Sequence, residues 1–424
     1  MANIKYNNID WFGDIPTEWN VNQIGNYYEL RNEKVNDYDF VPLSVTMKGV
    51  VPQLATAAKS NDHSNRKLVK KGDFVINSRS DRRGSCGISP LDGSVSLINT
   101  VMEPRGEMNP QYYNWLFHTE QFADEFYKWG HGIVDDLWTT RWQEMKKILI
   151  VAPELDEQQA IADYLDEKCT KIDEIIAAAK ASIEEYKDLK QSVIFEAVTK
   201  GLDKNVEMKE SGVEWIKKTP FNWKVAKLGK CIEILPGYAF SSADFSEKGI
   251  RLLRGVNVTP SGARWDDVVC WDKEISDALK AYLLEEGDIV VGLDRTWISD
   301  GARIFIMSSK DLPCLLLQRV CRIRCKKNVR NEYLYYWLKS KAFEEALTTE
   351  ITGISVPHIS TNQIKDFKIA FPSKSEQDTI IEHLNKKTKQ IDFLITEKQS
   401  LIKDLEAYKK SLIYEVVTGK RRVV

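Results

Sequence analysis

Leu165, Cys169, Ile172, Ile176, Ala179, Ile183 and Tyr186 follow one another at alternating spacings of four and three. That alternation keeps one stripe of a helix apolar and is the seam of a coiled coil. The rhythm returns near the end of the chain at Leu384, Thr388, Ile391, Ile395, Lys398, Ile402 and Leu405. Each seam predicts one long helix. Pro153 and Pro372 precede the two helices, and acidic residues crowd the first turn of the first, as the helix dipole favours. Gly201 and Gly419 follow the ends, where a residue tolerant of positive φ is wanted. About 43 residues at ~1.5 Å rise make a rod of roughly 65 Å.

Elsewhere the period shortens to β-rich runs with one late aromatic helix in each stretch. KKGDFVIN (Lys70 to Asn77) and EEGDIVVG (Glu285 to Gly292) both read as a Gly-Asp turn followed by a buried strand. NPQYYNWLF (Asn109 to Phe117) and NEYLYYWLK (Asn331 to Lys339) both read as an Asn cap followed by an aromatic helix. Each stretch closes on a Gly-Ile pair (Gly132–Ile133, Gly353–Ile354) and a strand running into proline.

These parallels belong to a duplication. EQQAIADYLDEKCTKIDEIIAAA, from Glu157, recurs ungapped as EQDTIIEHLNKKTKQIDFLITEK from Glu376. WFGDIPTEWNVNQIG (Trp11 to Gly25) likewise matches WIKKTPFNWKVAKLG (Trp215 to Gly229). The order is therefore segment, domain, helix, segment, domain, helix. Two tandem copies predict a pseudo-two-fold molecule whose long helices pair antiparallel and hold two globular domains at a set separation. Such symmetry suits a two-fold ligand such as B-DNA. Outside the shared frame the two domains diverge, which suggests two different ligands of one class, such as two short DNA sequences.

Composition narrows the alternatives. The first ten residues carry no basic n-region or apolar h-region, and no apolar run is long enough to cross a bilayer. Seven cysteines, an odd number without paired spacing, read as reduced thiols of a cytoplasmic protein. With no CxxC and five histidines, no metal site is expected. The net charge of −2 conceals a split. Glu154 to Lys200 holds twelve acidic against six basic residues and the second helix is balanced, so the rest carries +4. That permits DNA binding but implies a second subunit supplying part of the grip.

Enzymatic readings find little support. Asn109-Pro110-Gln111-Tyr112 approximates the Asn-Pro-Pro-Tyr loop of adenine methyltransferases, but its third residue is wrong and the second copy lacks it; a capping role with Pro at the first helical position explains it better. Gly130-His131-Gly132 is an isolated GxG, no GxxxxGK[ST] is present, and Glu144-Met145-Lys146 is an ExK without a Pro-Asp partner. No catalytic residue is expected. A degenerate methyltransferase, or a coiled-coil scaffold without DNA specificity, is the alternative.

The chain resembles the specificity subunit of Type I restriction–modification systems over essentially its whole length. The resemblance is carried by the W-x-G-x-I-P-x-x-W element at Trp11 to Trp19, LSVTMKGVVP from Leu43, LLRGVNV from Leu252, and P-x-x-x-E-Q-x-x-I leading into both long helices. Lys217 and Thr219 depart from it where the first copy has Gly13 and Ile15. The shared features of the two domains predict one fold used twice, α+β or mixed α/β with a mixed sheet, and the resemblance implies a non-catalytic reader of a bipartite, asymmetric site in double-stranded DNA. Its expected parts are residues 1–25, a first target recognition domain at 26–152, a central helix at 153–202, a second segment at 203–229, a second recognition domain at 230–371 and a C-terminal helix at 372–424. It also implies two methyltransferase subunits carrying S-adenosylmethionine, restriction/translocase subunits using ATP and Mg, and no cofactor on this chain.

Reading base edges needs forked donors and amides, Arg to guanine and Asn or Gln to adenine. Arg79, Arg82 and Arg83 in NSRSDRRGSCG are the preferred readers of the first domain. GLDRTWISDGAR offers Arg295, Trp297 and Arg303 in the second, and Arg254, Asn257 and Arg264 lie in or beside LLRGVNV. Lys48, Arg141 and His358 complete the candidates, with Asp81, Asp294 and Asp300 as nearby carboxylates. Trp11, Trp19, Trp115, Trp215, Trp223 and Trp337 are expected to be structural.

Overall fold

The computed structural model describes residues 4–5, 10–56, 63–79, 82–132, 138–298, 301–348 and 358–423. Ile133, the Gly353–Ile354 pair, Asp81 and Asp300 lie outside them. The chain divides into two compact units: Met1–Lys180 with Gln399–Val424, and Ala181–Lys398. The two long helices, Leu155–Lys200 and Lys374–Val417, contribute to each unit. The first unit thus combines the beginning of the chain with its end.

Each unit is α+β, built on a four-stranded antiparallel sheet. In the first, the strand order is Cys86–Ile88, Phe74–Asn77, Asn99–Pro104, Tyr28–Leu30. In the second it is Ile304–Ile306, Ile289–Gly292, Val320–Cys325, Ile232–Pro236. The expected Gly-Asp turns start the second strand of each. Gly72 and Gly287 take φ of +94° and +87°. Asp73 and Asp288 accept 2.8 Å bonds from the backbone N of Lys70 and Glu285. Both carboxylates are buried and each meets an arginine, Arg31 at 2.7 Å and Arg324 at 2.5 Å. A smaller sheet lies beside each large one, including a parallel pair, Ile250–Leu253 with Cys314–Leu316, in the second unit.

The duplicated motifs serve as fasteners. The Trp19 indole donates to Glu157 at 2.8 Å, and that of Trp223 to Glu376 at 3.0 Å. Trp11 and Trp215 donate to the carbonyls of Leu149 and Lys368. The neighbouring glutamines are buried, and they satisfy backbone groups that could not reach water. Gln158 accepts from Asn109 N and donates to Pro153 O; Gln377 accepts from Arg330 N and donates to Pro372 O. So the Glu of EQxxI anchors a tryptophan, the Gln holds the start of the aromatic helix, and the Ile (Ile161, Ile380) is core. The departure at Lys217 and Thr219 preserves the packing. Lys217 adopts φ of +55° where Gly13 has +65°, and Thr219 is as buried as Ile15.

One equivalence shifts by a residue. Asn109 caps the helix Pro110–Phe117 through its side chain, whereas Arg330 stands at the cap of Asn331–Lys339 and has no side-chain cap. Asn331 already lies inside its helix and donates to Gly287 O. The contacts therefore align Tyr112 with Tyr333, each bonding the carbonyl of a long-helix end (Val417, Val198). They also align Trp115 with Tyr336, which reach Asp166 and Asn385. Lys339 consequently matches His118.

The helix seams pack as their spacing predicts. Leu165, Cys169, Ile172, Ile176, Ala179, Ile183, Leu384, Thr388 and Ile391 are buried, and Tyr186, Ile395, Lys398, Ile402 and Leu405 are half-buried. Asp173 meets Lys409 and Lys180 comes near Glu406 in the first unit. In the second, Lys190 meets Asp392 and Gly201 lies beside Glu376. Rising numbers meet falling ones, so the helices run antiparallel within each unit.

Candidate nucleic-acid interface

In the first unit the strand Phe74–Asn77 delivers the chain to an arginine-rich turn. The Asn77 side chain accepts from Arg79 N at 3.1 Å, and Ser78, buried, bonds Thr100 at 2.9 Å. This rigid footing presents Arg79, Arg82 and Arg83, all exposed. Arg83 lies 4.3 Å over the Tyr127 ring and 3.0 Å from Asp124. Arg79 and Arg83 border a narrow cleft with Phe122, Tyr127 and Trp138 in its wall. Lys48 is exposed at the tip of the hairpin Leu43–Thr46/Gly49–Pro52. A Cβ on Gly87 would come 2.7 Å from Gly49 Cα, so the hairpin docks tightly on the strand that follows the arginine turn. Thr139 pairs with Arg79, which brings exposed Arg141 into the same neighbourhood. The structure thus gathers the five candidates of this unit.

The corresponding loop in the second unit borders a wide groove of about 1550 Å³. Arg264, Arg295 and Arg303 line it, joined by Lys190, Lys310 and Lys339, against two carboxylates, Asp311 and Asp392. Arg295 is exposed on a left-handed backbone, φ +44°. Arg264 is 64% exposed beside Asp266.

Of the other candidates, Asn257, Arg254, Arg303 and Trp297 are held inward, whereas His358 is exposed. Asn257 is buried: its oxygen accepts from Arg254 N, and its amide donates to the carbonyls of Arg264 and Asp267. That leaves it no donor for an adenine, and it organises the loop that presents Arg264. Arg254 is clamped to the Asp267 carbonyl and carboxylate. Arg303 donates to the carbonyls of Val258 and Asp294, and burial pushes its guanidinium pKa down. Trp297 is half-buried, packing against the core and lying tilted on Phe343 at 5.8 Å. His358 bonds the Asp294 carboxylate at 2.6 Å, which also takes Arg319.

Asn109 bears on the methyltransferase alternative. Its carboxamide caps its own helix through Gln111 N and Tyr112 N and donates to Gln159, so it is not presented to an adenine. Among the described residues no cluster of three or more His, Cys, Asp or Glu could hold a metal ion.

Residues 220–403 match the family model described as the Type I restriction modification DNA specificity domain. Over almost its whole length the chain is similar to the Type I restriction enzyme MjaVIII specificity subunit of Methanocaldococcus jannaschii. The two are 27% identical over 423 residues, covering 96% of this chain and 94% of that protein. It is also similar to the EcoAI specificity subunit of Escherichia coli, 39% identical over 167 residues, which cover 39% of this chain and 28% of the other. Residues 220–403 thus carry the Type I specificity domain, and the chain as a whole is similar to type I specificity subunits. The fold agrees. A solved structure titled for complex assembly and conformational transition of the type I R-M system covers 96% of this chain and 99% of its own, at a TM-score of 0.72 and 14% identity. The HsdS subunit of Thermoanaerobacter tengcongensis gives a TM-score of 0.53 at 15% identity.

Lys190, Lys310 and Lys339 line the groove, and Arg319 meets Asp294 beside Arg295, without being singled out by the sequence. Lys190 sits on a long helix, and no local pattern reports which domain surface a helix residue will face. Lys339 ends an aromatic helix and reads as an ordinary solvated terminus. Arg319 carries a weak signal, a cation in a short connection between two apolar strands.

Proposed function

We propose that the chain reads a bipartite, asymmetric site in double-stranded DNA, one half by residues 26–152 and the other by 230–371. The observation that carries this reading is the pairing of one conserved internal frame with two dissimilar cation-bearing loops at the same place in each unit. Identical frames suit a repeated ligand geometry, and different loops suit different bases. Arg79, Arg82 and Arg83, with Lys48 and Arg141 nearby, act in the first domain; Arg264 and Arg295 act in the second, on loops organised by Arg254, Asn257 and Arg303. Trp297 shapes that surface from behind, and exposed His358, bonded to Asp294, stands beside Arg295.

The long helices set the spacer between half-sites and dock two methyltransferase subunits, which bring S-adenosylmethionine and modify adenine. Restriction subunits bring ATP and Mg. This chain carries no cofactor and works in the cytoplasm; no helix among the described residues is long and apolar enough to cross a membrane. Sequencing host DNA for N6-methyladenine, with the gene intact and deleted, tests the reading. Loss of marks at one split motif with a fixed gap is expected, and unchanged marks would favour a scaffold. Inserting four residues, about one turn, into both helices near Ala179 and Lys398 is expected to lengthen the tolerated gap; the same gap would sink the spacer role.

A further inference from the structure

Lys339 ends the helix Asn331–Lys339, whose inner face is the buried Tyr333, Trp337 and Leu338. Its ammonium donates to the Pro260 carbonyl at 2.9 Å and to the Ala302 carbonyl at 3.2 Å. Pro260 is in the turn of the hairpin Val258–Thr259/Gly262–Ala263, which leads directly into Arg264. Ala302 belongs to the hairpin Trp297–Ile298/Gly301–Ala302, which connects Arg295 to Arg303. One side chain thus ties both loops of the groove to the rigid aromatic helix. The Arg303 Nε bond to Val258 O joins the same loops to each other. A lysine has three N–H donors and no acceptor, so two carbonyls leave one donor and the charge itself to the groove.

We propose that Lys339 is a positioning residue that sets the spacing of the second domain's two reading loops and makes that domain's hold on DNA proton-linked. The proposal rests on the reading of this groove as a DNA interface. An apolar residue could fill the same space, but it could neither bond the two carbonyls nor respond to phosphate.

The charged groups that line the groove with the ammonium are Lys190 and Asp392 from the two long helices, paired at 2.7 Å, Arg264, Arg295 and Arg303 from the two loops, and Lys310 and Asp311. On its own helix the Tyr335 ring lies 5.7 Å away. Burial, helped by Lys190 and opposed by Asp392, pushes the Lys339 ammonium down from 10.5 to about 8. Without DNA the folded protein therefore releases this proton near pH 8, while the unfolded chain keeps it to about 10.5. Phosphate at the groove favours the charged form, so binding takes up a proton and affinity falls as pH rises through about 8. Lysines and arginines of ordinary pKa do not titrate in that window.

The test uses the full chain assembled with its methyltransferase subunits. The probes are a duplex carrying the split motif recovered from host DNA and a panel varied at each half-site. Lys339→Met is expected to weaken binding about tenfold, one or two polar contacts' worth, and to relax base preference in one half-site only. The intact half-site reports that the variant is folded. Wild type is expected to lose affinity severalfold between about pH 7 and 9, Lys339→Arg and Lys339→Met much less. Unchanged preference at both half-sites in Lys339→Met would overturn the proposal, as would parallel pH profiles for wild type and both variants. Failure of the wild type to prefer any duplex would overturn the interface reading and the proposal with it.

Discussion

The two units share their joints and differ at their faces. In each, a tryptophan grips the glutamate of EQxxI, a glutamine holds the aromatic helix, and a tyrosine bonds the end of a long helix. At the matched position after that tyrosine the units part. His118 in the first unit turns its ring to the Asn114 carbonyl, and burial pushes its imidazole pKa down, which favours the neutral ring. Lys339 in the second reaches out and ties down two loops at a groove. The first unit presents its arginines beside an aromatic cleft, the second along a wide basic trough. Residues that make the frame are held by buried partners, so their identity is dictated from inside. Residues that face the ligand answer only to it.

The strongest way to break this comparison is to remove the shared joint from one side. Trp19 and Trp223 are almost wholly buried. Trp19→Ala and Trp223→Ala are each expected to cost about 3–5 kcal/mol, and hydrogen exchange should show the loosening concentrated in the unit mutated. Equal loosening of both units by either variant would mean that the joints are not local.

Next in size is a change at a face. Arg295→Ala is expected to cost roughly 1–3 kcal/mol in DNA affinity and to relax one base position, if the contact is bidentate. Uniform weakening on every sequence, measured on a panel of duplexes, would make Arg295 a phosphate contact. Thermal stability should hardly move, because the side chain is exposed. The smallest test sharpens one place where the frames differ. Lys217 holds the left-handed backbone that Gly13 holds in the first unit. Lys217→Gly is expected to stabilise by about 1 kcal/mol and Gly13→Lys to destabilise by a similar amount, read from urea unfolding. No gain from Lys217→Gly would show that neighbouring contacts already relieve that strain.

What was legible in the chain follows the same division. Periodicity reports burial directly, so the helix seams and the strands after the Gly-Asp turns could be read from spacing alone. The EQxxI motif was visible as a repeat, although its chemistry, an indole and a buried amide, needed three dimensions. The aromatic helices are legible in the chain but their correspondence is not, because NPQ and NEY share an Asn one residue out of register with the tyrosines that carry the contacts. At the face, sequence separates cations from apolar residues but not exposed cations from those bonded inward. Arg295 and Arg303 look alike in the chain, yet one is exposed and the other spends its guanidinium on two carbonyls. Asn257 carries an amide that the loop itself consumes, and the place of Lys190 in the groove depends on long-range packing that no local pattern reports.

The most direct measurement is a domain exchange read by methylation. Residues 26–152 are replaced by the matching stretch of another specificity subunit, and N6-methyladenine is mapped in host DNA. One half of the split motif should change, with the other half and the gap preserved. If both halves changed, or if the motif stayed as it was, the two units would not be independent readers of DNA.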